Sequence, residues 1–135
     1  MYNKIAKFLK IFFLCHCRPE RSFFYKGKQF PICARCTGEL IGLIVGIPII
    51  FKLKDVDIIY IFLLSIPLIL DGGIQLVTKY ESNNIKRVVT GFLFGIALIF
   101  ILAKVHWSAF ENALRVINIF QPDNPLLEKY RYLIE

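Results

Sequence analysis

Apolar residues fall along this chain in three long runs separated by short charged loops. The pattern predicts transmembrane helices at 37–53, 58–77 and 87–105. The first run, about 19 residues if counted from Cys33 to Phe51, is near the minimum for crossing a hydrocarbon core of roughly 30 Å. Ahead of it, Ile5, Phe8, Leu9 and Phe12 share one helical face and Lys4, Lys7 and Lys10 the other, so residues 1–14 read as an amphipathic helix lying in the membrane interface. Its apolar centre is too short for a secretory signal, and the N-terminus is expected to be retained. Behind the third run, Trp107 stands where an interfacial aromatic belongs. Ser108 and Glu111 have capping-box spacing, and Phe110, Leu114 and Ile117 form a stripe, which predicts a second interfacial helix over 108–120. Residues 121–135 read as a tail, broken from the helix by Pro122 and Pro125. The fold class expected is an all-α membrane protein, a single membrane domain over 1–135.

The spans carry two departures from plain apolarity. Gly38, Gly42 and Gly46 recur every fourth residue on the first, and Gly91 and Gly95 put a matching pair on the third; such stripes let helix backbones approach closely, within one chain or between copies in a homo-oligomer. Asp71 lies in the last third of the second span, on one face with Gln75 and Thr78. An intramembrane carboxylate is costly, so it marks either chemistry or a structural pair with an arginine, for which Arg87 is the expected partner.

Composition places the chain in a lipid bilayer, since 56% of its 135 residues are hydrophobic and 13 are Phe. The net charge of +7 then reads as cytoplasmic loops and contact with anionic head groups, with no nucleic acid as partner. Eleven of the seventeen Lys and Arg residues fall on the side that holds 1–36 and 78–87, which predicts an inner (plasma) membrane protein with its N-terminal loop in the cytoplasm. The cysteine loop, the Asp71 end of the second span and the Arg87 end of the third should meet there.

The loop over 15–36 contains all four cysteines, which in a reducing cytoplasm argue for metal ligation or redox cycling over structural disulfides. Cys33 and Cys36 form a C-A-R-C pair; with Cys15 and His16 they make a four-ligand set suited to zinc, with iron also open. Neighbouring side chains tend to diverge, so Cys15 and His16 are an unusual second pair, and Cys17 could replace either. A helix N-terminus and Arg35 would lower the thiol pKa of the C-A-R-C pair, which suits thiol redox chemistry as well as metal binding. Arg18, Arg21, Lys26, Lys28 and Arg35, with Arg87 near in topology, suit an anionic lipid head group or lipid phosphate.

The loop and the spans also carry a longer pattern: C-H-x-x-P-E-R-S-F, then G-x-Q-F-P-x-C-A-R-C-T-G, then D-G-x-x-Q and R-x-x-T-G. Over residues 15 to 95 this resembles the domain of unknown function 2085 family of small prokaryotic predicted membrane proteins. The resemblance implies a membrane protein and implies no activity. It places Cys15, His16, Glu20, Arg21, Gln29, Cys33, Arg35, Cys36, Asp71, Gln75 and Arg87 among the motif positions; Cys17 and Glu39 read as departures.

Three functions fit these residues. One is a cytoplasmic-face Cys/His metal site beside a basic, lipid-accessible pocket, binding or acting on an anionic lipid-linked substrate; Asp71 or Glu20 would serve as base, and Arg18, Arg21, Arg35, Gln75 and Arg87 would bind substrate. Another is a membrane thiol-disulfide oxidoreductase using Cys33 and Cys36. The third is a non-enzymatic membrane module with a structural metal.

Overall fold

The computed structural model describes residues 2–53, 56–121 and 124–131; part of the loop between the first two spans (Lys54, Asp55), Pro122, Asp123 and the last residues of the tail lie outside the described residues. The chain divides into two compact units, Met1–Phe100 and Ile101–Glu135.

In the first unit, α1 (Tyr2–Phe12) is the expected amphipathic helix, with Ile5, Phe8, Ile11 and Phe12 exposed. It ends in a Schellman turn: Cys15 N–H donates to the Lys10 carbonyl at 2.9 Å and Leu14 N–H to the Ile11 carbonyl at 3.2 Å, with Leu14 left-handed at φ 46°. The turn delivers Cys15 directly behind the helix. A short 3-10 turn, Pro19–Arg21, follows, and then the segment expected to be a simple loop folds as a hairpin of β1 (Ser22–Tyr25) and β2 (Lys28–Cys33). Tyr25 pairs with Lys28, and Lys26 and Gly27 both have positive φ, which makes a two-residue type I′ turn. The register slips between Ser22 and Phe24, opposite the stretch that holds Pro31, whose missing N–H cannot serve the ladder. β2 packs on α1 and runs straight into α2 (Ala34–Lys52).

The remaining helices are α3 (Ile58–Val77), α4 (Asn84–Phe120) and α5 (Pro125–Tyr130). Helices α2, α3 and α4 are long and apolar enough to cross a membrane. The glycine stripes do pack on each other within the chain. A Cβ on Gly42 would strike the Phe92 carbonyl, one on Gly91 the Arg35 carbonyl, and one on Gly95 the Glu39 carbonyl, so α2 and α4 lie backbone against backbone. These faces are taken, and a homo-oligomer would have to use others. Helix α3 joins them through a small core of Ile61, Ala97 and Phe100, with Ile49, Ile50, Leu64 and Ile96 around it. Much of its other surface, including Phe62, Leu63 and Leu70, is exposed apolar side chain of the kind a bilayer covers.

The expected separate helix over 108–120 is instead the continuation of α4. No Gly or Pro interrupts 105–120, and Ser108 sits inside the helix where it caps nothing. The actual cap is Asn83, whose Oδ1 accepts from Lys86 N–H at 2.8 Å and starts α4 one turn before Arg87. In the second unit, Phe110 meets Tyr130 edge to face at 5.4 Å, and Leu114 and Leu127 are buried, which folds α5 onto this part of α4.

Candidate metal centre and cavity

The residues around the cysteines are set by the Schellman turn, the hairpin and the start of α2. Leu14 and Cys17 are both left-handed, so the chain bends on each side of Cys15. Cys15 and Cys17 bring their sulfurs to 3.6 Å, while His16 is exposed and does not join the sulfur cluster. From the other strand, the Cys33 N–H donates to the Cys15 sulfur at 3.2 Å, and the Cys33 and Cys36 sulfurs share a hydrogen bond at 3.4 Å. Thr37 Oγ1 donates to the Cys33 carbonyl at 3.0 Å, tying Cys33 to the first turn of α2.

The sulfurs of Cys15, Cys33 and Cys36 all lie within 4.8 Å of one another. With Zn–S bonds of about 2.3 Å, tetrahedral sulfurs stand about 3.8 Å apart, so small side-chain adjustments would seat an ion among these three. His16 does not join them, contrary to the four-ligand set expected from the sequence; adjacent side chains diverge, and the two left-handed residues give the inward direction to Cys15 and Cys17. Cys17 donates to the Pro31 carbonyl at 2.8 Å. Burial raises its thiol to about 11, aided by the hydrogen bond and charge of Cys15, so it is a neutral donor at ordinary pH. Cys33 moves the other way, to about 5, chiefly through the hydrogen bond shared with Cys36 and against the effect of burial; the Cys36 backbone N–H adds to it.

These thiols line a cavity of about 660 Å³ together with His16, Arg18, Arg21, Arg35, Glu39, Gln75 and Arg87. Leu68, Leu76 and Phe94 give it an apolar side. The ends of α2, α3 and α4 therefore do converge beside the cysteine segment.

Several assignments change at this level of detail. Asp71 pairs with Arg35 and not with Arg87, and Gln75 Nε2 donates to the same carboxylate oxygen at 3.3 Å. Arg35 comes from the first turn of α2, a short reach from α3, whereas Arg87 is drawn to Asn84, to whose Oδ1 it donates at 3.3 Å. Asp71 is thus engaged by Arg35 and Gln75 and is not among the residues that line the cavity. Glu20 sits exposed on the 3-10 turn and does not line the cavity. Arg21 reaches Glu81 at 3.6 Å. Sequence reasoning set aside Glu39 and Cys17, which both line the cavity; no spacing rule marks either one.

Residues 15–101 match the family model described as a predicted membrane protein, DUF2085. The chain belongs to this family. Among similar proteins, an uncharacterized protein of Methanocaldococcus jannaschii is 39% identical over 101 residues, a match covering 70% of this chain and 65% of the relative. The chain thus spans just under two thirds of that relative's length. Another uncharacterized protein, from Methanothermobacter thermautotrophicus, is 39% identical over 97 residues, covering 69% of this chain and 86% of the relative. No solved structure matches. The DUF2085 stretch contains the three clustered thiols, the Arg35–Asp71 pair and Arg87.

Proposed function

We propose that this DUF2085 protein carries a three-thiolate metal centre, with zinc the ion that best suits it, at the cytoplasmic interface of the plasma membrane, and that the adjoining basic cavity receives an anionic, lipid-linked ligand. The observation that carries the reading is the cluster itself: three sulfurs from two separate segments within 4.8 Å, all lining one cavity. Three protein ligands leave a fourth position for a small molecule, the arrangement of catalytic zinc, where the metal acts as a Lewis acid on an oxygen brought to it. Around that position the chain supplies cation from Arg18, Arg21, Arg35 and Arg87 and apolar wall from Leu68, Leu76 and Phe94. Should His16 or Cys17 swing in to close the site, the metal would be a staple for the hairpin and the module would bind without catalysing.

Elemental analysis of the detergent-purified protein tests this reading. One zinc per chain is expected, lost in the Cys33→Ser, Cys36→Ser double variant and kept in His16→Ala. Stoichiometric iron would keep the centre and change the ion.

A second reading rests on the Cys33 and Cys36 sulfurs at 3.4 Å and the lowered Cys33 thiol, which suit a dithiol that cycles with a disulfide. Protein free of metal, with a reversible Cys33–Cys36 disulfide and a defined midpoint potential, would replace the metal centre with this chemistry.

A further inference from the structure

Among the arginines of the cavity, Arg87 stands apart. Arg35 is paired with Asp71, Arg21 reaches Glu81, and Arg18 is exposed to solvent. Arg87 is only 4% exposed and, among the described residues, has no carboxylate within ion-pair distance. A guanidinium offers five N–H donors, and here one of them donates to Asn84, at 3.3 Å. Arg21 and Arg35 oppose its charge, and Glu81 and Asp71 favour it without pairing with it. Covering a cation in this way carries a desolvation cost, which an anion bound against it would offset. A cation serving only the head groups outside would snorkel to the surface, which Arg87 does not do. Arg87 instead lines the cavity, as does Arg35, whose buried Nε has no hydrogen-bond partner.

We propose that Arg87 anchors a phosphate group in this cavity, and that the phosphate belongs to an amphiphile whose apolar chain lies along Leu68, Leu76 and Phe94. A guanidinium fork matches two phosphate oxygens in one plane, and neither a lysine nor a neutral donor reproduces that fit. The volume of about 660 Å³ is that of a small-molecule site, well beyond the needs of a bare phosphate ion. This inference rests on the cavity reading above and names the ligand class for it; it does not require the metal.

The test is calorimetric titration of the full-length protein in a neutral detergent with three probes: dihexanoyl phosphatidic acid, dihexanoyl phosphatidylcholine and inorganic phosphate. Saturable one-to-one binding is expected for the phosphatidic acid, with the phosphatidylcholine and inorganic phosphate each at least about tenfold weaker, in line with the worth of a charged hydrogen bond. Arg87→Gln should weaken phosphatidic acid binding by about tenfold or more, and Arg87→Lys, which keeps charge and loses the fork, by an intermediate factor. Unchanged binding in Arg87→Lys and Arg87→Gln would overturn the anchor, as would absence of saturable binding by the wild type. Equal affinity for inorganic phosphate would overturn the amphiphile. Metal content is measured on the same samples. The Cys33→Ser, Cys36→Ser variant should lose metal and still bind phosphatidic acid; in the wild type, stoichiometric metal without saturable phosphatidic acid binding would mean that the phosphate reading has failed, and saturable binding without metal that the metal reading has failed.

Discussion

At the scale of single residues, two of the thiols outside the membrane spans, Cys17 and Cys33, differ sharply in proton affinity. The reactive fraction of Cys33 grows as pH rises through about 5, because its folded-state pKa is depressed, whereas Cys17 stays protonated until about 11. In metal-free protein, iodoacetamide labelling followed by mass spectrometry should find Cys33 modified with a midpoint near 5 and Cys17 left unmodified at neutral pH. Cys36→Ala should move the Cys33 midpoint upward, since its main cause is the hydrogen bond to Cys36; a midpoint that stays put would assign the shift to something else. The Arg35–Asp71 pair makes a separate prediction. Asp71→Asn should destabilise on the order of 2–4 kcal/mol, somewhat less than a fully enclosed pair because the Arg35 side chain keeps 27% of its exposure. Adding Arg35→Gln should recover part of that loss in a thermal melt, and adding Arg87→Gln should not. That Asp71 needs an arginine was legible in the sequence. Which arginine was not, because the choice between α2 and α4 depends on the angle at which helices meet. Cys15, Cys33 and Cys36 were legible from the C-A-R-C pair and from the confinement of all four cysteines to one loop, although Cys17 was an equal candidate there. The exclusion of His16 was not, since left-handed Leu14 and Cys17 carry no glycine to announce them.

At the scale of elements, the contact between α2 and α4 depends on missing side chains. Gly42→Ala or Gly91→Ala would push a methyl group into a carbonyl of the facing helix, and should cost about 1–3 kcal/mol through forced separation. Gly73 has nothing within 4 Å of where its Cβ would stand, so Gly73→Ala should leave the melt unchanged or raise it slightly through helix propensity. Equal effects at these sites would mean that the glycines matter for helix propensity and not for approach. Hydropathy marked α2 and α3 to within a few residues, since length and apolarity decide membrane crossing. It did not mark the hairpin, where the short runs S-F-F-Y and K-Q-F-P-I-C alternate too weakly and Lys26, left-handed at φ 49°, is not the Asn, Asp or Gly that usually opens a two-residue turn before a glycine. The end of α4 was misplaced for the opposite reason: a capping signal at Ser108 cannot stop a helix that nothing else breaks.

At the scale of the molecule, three spans with eleven of seventeen basic residues on the cysteine side predict a topology. In intact cells an impermeant thiol reagent should leave Cys33 and Cys36 unmodified, and a reporter fused after Glu135 should behave as extracytoplasmic. Labelling of both thiols from outside would reverse the orientation and leave the fold intact.

The ion pair between α2 and α3 also bears on how the chain enters the bilayer. Spans emerge from the ribosome in order, so α2 and α3 are present before α4 exists. Had Asp71 been matched by Arg87, its carboxylate would have had to wait, unpaired and in lipid, for a helix not yet made. With Arg35 as partner, the first two spans can insert as a neutral hairpin, and the glycine face of α2 is left open for α4 when it arrives.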